Sequence, residues 1–292
     1  MGERFLVFVD TEIDFHRKCI LDIGAVDDKG NSFHNTSLGK FTDFLSGVQY
    51  VCGHNIIRHD ALYIGGAMAQ AGVKPQNIID TLFLSPLLFP TKPYHALLKD
   101  DKLQTEELNN PLNDSFKARD LFYDEISAFT QMSEDFRKIL FLLLREQSEF
   151  SAFFNFIRYR CTEVEVEPLI RQRFVGEICS HVDLSTLIAH RPIALAYCLA
   201  LINSFIKSAN SHSITPPWVL KNYPEVEQIM LLLRNKPCVE GCIYCDRALD
   251  IHRGLKRFFG YDSYRTYGGE SLQERAVKDA VDVYLLVQGG GA

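Results

Sequence analysis

Residues 4–10, RFLVFVD, are a short apolar run rich in β-branched and aromatic side chains that stops at an acid. Such a run predicts a buried strand. ILDIGAVD (Ile20 to Asp27) predicts a second strand, and the turn Lys29 to Asn31 leads into SFHNTSL, a third. Three consecutive strands with short turns predict an antiparallel meander. KFTDFLSGV reads as a short helix, and VQYVCGHN (Val48 to Asn55) as a strand ending in polar residues. His59 to Gly72 has helical spacing and ends in glycine. NIIDTLFLSPLLF reads as a strand running into a helix. NDSFKARDLFYDEISAF starts with Asn-Asp and carries Ala118, Leu121, Phe122 and Ile126 on one face, a capped amphipathic helix.

From about residue 130 to 235 the pattern becomes nearly all helical, as in FRKILFLLLRE, EFSAFFNFIRYR and PIALAYCLALINSFI. TPPWVLKNYP (Thr215 to Pro224) reads as a linker or domain seam, since prolines flank the one tryptophan. No repeat or low-complexity tract interrupts the chain. The expected division is an α/β domain over 1–130, a helical region over 131–235, a Cys/His segment over 236–254 and a final segment over 255–292.

With 292 residues, 47% of them hydrophobic, the chain is long enough for a sizeable core. No apolar run reaches the roughly 18–20 residues of a membrane span. The first apolar stretch meets Asp10 and Glu12 at once, with no cleavage site, so no secretory signal is read and a cytoplasmic location is expected. The net charge of -6 argues against a broad basic face for duplex DNA. It leaves room for a nucleic-acid enzyme that concentrates carboxylates around cations. The basic groups at Arg158 to Arg160, Arg171 to Arg173 and His252 to Arg257 each read, taken alone, as solvated surface.

Hydrolysis of a phosphodiester by two metal ions needs several carboxylates converging on cations about 4 Å apart. Mg²⁺ and Mn²⁺ suit such oxygen ligands. Asp10 and Glu12 lie two apart after an apolar strand, so both project the same way. Asp60 stands at a helix start and Asp114 opens the next strong helix. Each acid alone reads as a cap or a surface group; the ordered set points further.

That set lies within VFVDTEID, ILDIGAV, CGHNIIRHDALYI, IDTLFLSPLLFP and NNPLNDSFKARDLF. In this order they resemble the DEDD exonuclease superfamily, also called DnaQ-like, over about residues 4–127. The resemblance implies a ribonuclease H-like α/β fold, with a mixed sheet flanked by helices, followed here by a mainly helical C-terminal part. It implies removal of single nucleotides from a 3′ end with two Mg²⁺ or Mn²⁺ ions. It puts metal ligands on Asp10, Glu12, Asp60 and Asp114, and substrate contacts on Thr11, His54 and Asn55. One position departs from the family pattern. The general base expected five residues before the last acid falls on Asn109, and no tyrosine stands four before. His95 and Asp100 carry the expected spacing instead. Either Asp100 is the fourth ligand, or His95 reaches the site from a neighbouring segment while Asp114 binds metal. The second is adopted, with His95 as the base, because a helix with the family's small-residue spacing follows Asp114.

The eight cysteines do not form a disulfide framework: five are scattered and three cluster as Cys238, Cys242 and Cys245, with His252 seven residues later. Three thiolates and an imidazole suit a closed Zn²⁺ site. The same Cys-x3-Cys-x2-Cys spacing resembles the iron–sulfur motif of radical SAM enzymes, but it sits late in the chain, with too little sequence left for a barrel; zinc is expected over an iron–sulfur cluster. The segment from Gly254 onward resembles the opening of RecQ-type DNA helicases, with Phe259, Gly260, Tyr264, Arg265 and Gln273 matching in order. A strand then leads to Gly289, Gly290 and Gly291 with no lysine after them, so ATP hydrolysis is not expected.

The leading expectation is therefore a 3′–5′ exonuclease acting on nucleic acid with a free 3′ end. DNA is favoured over RNA by the helicase-like segment, which points to repair or recombination, and no membrane partner is expected. A catalytically degenerate module that binds nucleic-acid ends is the alternative.

Overall fold

A computed structural model describes residues 6–14, 16–92, 94–97, 110–204 and 215–233. Asp100, Asn109, the cysteine cluster with His252, and the helicase-like segment lie outside the described residues.

The meander forms as its pattern predicts. Strand β1 (Leu6–Asp14) pairs antiparallel with β2 (Cys19–Asp27), which pairs antiparallel with β3 (Ser32–His34). The first strand runs past the apolar residues, so Asp10 and Glu12 are within it rather than after it. Helix α1 (Leu38–Phe44) is capped by the Ser37 side chain. Strands β4 (Tyr50–Gly53) and β5 (Ile78–Asp80) then extend the sheet on the other side, parallel to β1, giving the order β3-β2-β1-β4-β5. Between them runs helix α2 (Ala61–Gln70), and β5 passes directly into α3 (Thr81–Leu88). The result is an α/β architecture with a mixed five-stranded sheet and helices packed on it.

The two sheet faces bury different partners. Val7, Val9, Ile23 and Ala25 pack with Phe41 of α1, Leu45 at its end, and Ile64 and Met68 of α2. Phe8, on the opposite face of β1, meets Phe122 of the long helix α4 (Pro111–Gln131), with ring centroids 5.8 Å apart. Helix α4 begins earlier than its sequence signal suggests. Asn110 is the cap, its side chain accepting from the N–H groups of Leu112 and Asn113, so Asp114 falls in the first turn. Gly24 makes this docking possible. A Cβ there would stand 2.0 Å from the backbone nitrogen of Leu112 and 2.1 Å from the carbonyl carbon of Pro111. Only a residue without a side chain lets the start of α4 lie on β2 this closely.

Helices α5 (Glu134–Leu144), α6 (Ser148–Phe156), α7 (Val166–Arg173), α8 (Leu184–His190), α9 (Pro192–Asn203) and α10 (Pro217–Asn222) follow. The expected change to all-helical structure is present, but Met1–Arg173 and Leu184–Met230 form one compact unit. Helix α9 is buried all round, from Ala194 to Ile202, which fits a central helix packed on several neighbours. Its Tyr197 hydroxyl donates to the carbonyl of Phe83 in α3 at 3.0 Å. Aromatic edge-to-face contacts join α4 to α6, with Phe129 5.6 Å from Phe153 and 5.8 Å from Phe154. Thr215 to Pro224, expected as a linker, instead carries helix α10, packed within this unit. The second unit comprises Phe174–Asp183 and Leu231 onward; within it the N–H of Cys179 donates to the carbonyl of Leu233 at 2.7 Å. No described helix is long and apolar enough to cross a membrane.

Candidate functional site

Parallel strands β1, β4 and β5 all end at the same side of the sheet, where ligands of open α/β sheets commonly bind. A cleft of about 480 Å³ lies there. Its acidic wall holds Asp10, Glu12, Asp60 and Asp114, with Thr11, His54, Asn55 and His95 also lining it. The four adopted acids, the histidine base and the substrate-contact residues named from sequence are thus brought to one cavity, while the alternative ligand Asp100 lies outside the described residues.

Each acid reaches it by a traceable route. Asp10 and Glu12 alternate with Thr11 along β1, and Asp10 lies opposite Gly24 in the register. Asp114 arrives because Gly24 admits the start of α4 against β2 beside Asp10. It is not the cap of that helix, and its carboxylate stands 3.5 Å from the Lys117 ammonium. Asp60 precedes α2 but makes no side-chain capping bond. Its Oδ1 instead accepts from the Thr11 N–H at 3.1 Å and the Thr11 hydroxyl at 2.5 Å. Asp60 is only 2% exposed, so this tie to β1 fixes it in place. A helix-start acid spending its side chain on a strand nearly fifty residues earlier is not a capping acid.

The loop after β4 is held from below by Asp80, a residue the sequence reading gave no role. Its carboxylate accepts from the N–H groups of Asn55 at 2.8 Å, Ile57 at 3.0 Å and Leu82 at 2.9 Å. Burial pushes its pKa up to about 7 against the pull of those three donors. Asn55 takes a left-handed conformation, φ 67°, which asparagine tolerates better than most residues. Gly53 lets the loop cross close to β1, since a Cβ there would lie 2.7 Å from the carbonyl oxygen of Val9.

Two histidines flank the acids in an apolar setting. His54 Nδ1 lies 2.8 Å from the Thr81 hydroxyl, which itself donates to the Gly53 carbonyl at 3.3 Å. A hydroxyl donating there accepts from Nδ1–H, leaving the lone pair on His54 Nε2. His95 Nδ1 lies 2.8 Å from the Ser85 hydroxyl, and His95 is 6% exposed. Both Nε2 atoms are buried without a hydrogen-bond partner. Burial holds both rings down to about 4, His54 helped by the neighbouring His95. His59, also in the wall, behaves in the opposite way: the Asp60 carboxylate, 3.5 Å from its Nδ1, raises its pKa.

Beneath the site Glu125 of α4 is fully buried with neither carboxylate oxygen bonded, and burial raises its pKa well above the usual range.

The lining also has an aromatic and apolar part, with Tyr94, Leu82, Leu97 and, from α10 and its cap, Pro216, Pro217 and Trp218. Among the described residues, no lysine or arginine lines the cleft. Among the described residues, no three His, Cys, Asp or Glu side chains are grouped closely enough to hold an ion as they stand. The four carboxylates therefore share a wall rather than a closed cage. The donor set, carboxylate oxygens on one cleft, is nonetheless of the kind a hard divalent cation prefers, with Lys117 paired to Asp114 beside it.

No protein-family model matches the chain, and no curated protein matches it.

Proposed function

We propose that this chain is a metal-dependent 3′–5′ exonuclease of ribonuclease H-like architecture, acting on DNA with a free 3′ end. The observation that carries the reading is that Asp10, Glu12, Asp60 and Asp114, far apart in sequence, line one cleft at the carboxyl ends of parallel strands. The mixed sheet flanked by helices is the architecture such a domain requires. Those four acids would hold two Mg²⁺ or Mn²⁺ ions. Bound there, the cations supply an activated water and stabilise the leaving oxygen of the phosphodiester.

The protein's own groups do the rest. Thr11 fixes the Asp60 carboxylate through two bonds to Oδ1, so a ligand would meet an oriented group. Asp80 clamps the backbone around Asn55, keeping the substrate side of the cleft in shape. His95 is neutral at working pH because of its burial. As general base it would carry its proton on Nδ1, bonded to Ser85, and accept the water proton on Nε2. The role in DNA repair or recombination rests on the RecQ-like segment alone.

End-labelled single-stranded DNA with Mg²⁺ or Mn²⁺ tests the proposal. The wild-type chain is expected to shorten it one nucleotide at a time, and Asp10→Asn or Asp60→Asn to slow this on the order of 10³-fold. Undiminished trimming by both variants would remove the assignment. A parallel assay on RNA decides the sugar. A second reading, a module that binds nucleic-acid ends without cutting, is favoured by the open spacing of the acids and the enclosed Nε2 of His95. Binding without shortening in either metal would establish it.

A further inference from the structure

The exonuclease reading uses the acidic wall of the cleft and leaves its aromatic wall unexplained. Tyr94 is 76% exposed, a large ring presented to solvent beside the buried His95. Trp218 is half-buried and lines the same cavity from the first turn of α10. The indole is held on its protein side by several contacts. Its ring stands edge-on to Phe83 of α3, with centroids 4.9 Å apart at 81°. The Arg58 guanidinium lies 5.9 Å from its centroid, and 5.1 Å and 5.7 Å from those of Phe83 and Tyr223. Arg58 also donates to the Asn222 side-chain oxygen, and the Asn222 amide donates to the Trp218 carbonyl at 2.6 Å. A helix remote in sequence is thereby fastened beside the loop that carries His54, Asn55 and Asp60.

Resting on the exonuclease reading, we propose that Trp218 and Tyr94 are a stacking platform for an unpaired nucleobase at the 3′ end, and that they select single-stranded substrate. Two features of the cleft require such a platform. A phosphodiester at the carboxylates puts the adjoining bases within the same cavity, and a base taken out of its duplex stack needs an aromatic or apolar surface to replace its lost neighbours. Among the described residues lining the cleft none is lysine or arginine, so the two rings are the groups there best suited to hold a base. Arg58 is a positioning residue: it holds α10 and the indole.

The one tryptophan of the chain reports on its own site. Intrinsic fluorescence of the full chain is titrated with short oligothymidylate in EDTA and again with Ca²⁺. Saturable quenching is expected. Trp218→Phe is expected to keep wild-type affinity, measured by anisotropy of labelled oligothymidylate, and Trp218→Leu to lose it on the order of 10-fold. Tyr94→Ala, at an exposed ring whose removal leaves the core intact, is expected to weaken binding as well. A blunt duplex of the same length is expected to bind at least about 10-fold more weakly than the single strand. Absence of quenching, wild-type affinity in both Trp218→Leu and Tyr94→Ala, or equal affinity for blunt duplex would overturn the platform. These readouts need no cleavage. A chain that trims DNA but shows none of them retains the exonuclease reading and loses this one; a chain that shows them all but leaves 3′ ends intact does the reverse.

Discussion

Among the described residues, every carboxylate in the cleft comes from the strand-built part of the molecule, from β1, the start of α2 and the first turn of α4; the all-helical part contributes Pro216, Pro217 and Trp218. The two parts also differ in what holds them. The acidic wall is fixed by short polar ties between distant segments, such as Thr11 to Asp60 and Asp80 to the Asn55 loop. The helical part is fixed by aromatic packing around Phe129, Phe153 and Phe154. Groups that must present charge in a set direction need directional bonds, while a supporting layer needs only volume and shape. Damage to the two parts should therefore look different.

The largest effect on stability is expected in the helical part. Phe153→Ala removes a ring that is 1% exposed and touches Phe122, Phe129 and Phe154, at a cost of about 3–5 kcal/mol in denaturant unfolding. The molecules that remain folded should bind and trim DNA as the wild type does. Equal loss of trimming per folded molecule would erase the contrast.

Gly24→Ala should reverse that pattern. The added methyl meets backbone that cannot turn away, so α4 must shift off β2, at a cost on the order of 3 kcal/mol. Here activity per folded molecule should fall, because the shift carries Asp114 away from Asp10. Unfolding curves paired with single-turnover trimming separate the two outcomes.

Thr11→Val keeps the volume of the side chain and removes the hydroxyl bond to Asp60. A loss of about 1–3 kcal/mol is expected, with trimming reduced as the carboxylate loses orientation. Thr11→Ser, which restores the donor, should recover most of both.

The smallest effect is absent at neutral pH and grows on acidification. His54 and His95 titrate near 4 in the folded protein and near 6.5 when unfolded, so the unfolded chain binds more protons between those values. Their contribution is whole above pH 6.5 and is lost as pH falls toward 4. Asp80 opposes it: with its folded pKa about 7 and an unfolded value of 3.8, its contribution declines as pH rises through that window. Glu125, whose pKa burial also raises, acts in the same sense as Asp80, so the histidines' part is read from a variant. Between pH 7 and 4 the thermal midpoint of His95→Gln should fall less, or rise more, on acidification than that of the wild type. An unchanged slope would mean that His95 is not buried in solution.

The legible parts of the cleft were those encoded locally. Asp10 and Glu12 are readable because strand alternation alone puts them on one side, and the start of α2 is marked by the change to helical spacing after Asp60. What each acid does with its side chain was not readable. Asp60 and Asp114 both stand where a capping acid would, and only the bond from Thr11 and the cap at Asn110 distinguish them from caps. Asp80 looked like any acid ending a strand, yet it organises the loop of Asn55. Thr215 to Pro224 carried every mark of a linker, since proline and polar residues punctuate both linkers and short helices. Its docking depends on Arg58 and Phe83, far away in the chain.

The order of strands and helices, the alternation that exposes two acids on one strand, and the change from mixed to helical structure were all determined by the sequence, because period and turn chemistry act over a few residues. Tertiary structure alone decided that the start of α4 could rest on Gly24, that both histidines would be enclosed, and that Trp218 would face the same cavity as Asp10. Each of these depends on close packing between segments distant in the chain, and no local pattern records which distant backbone a residue will touch.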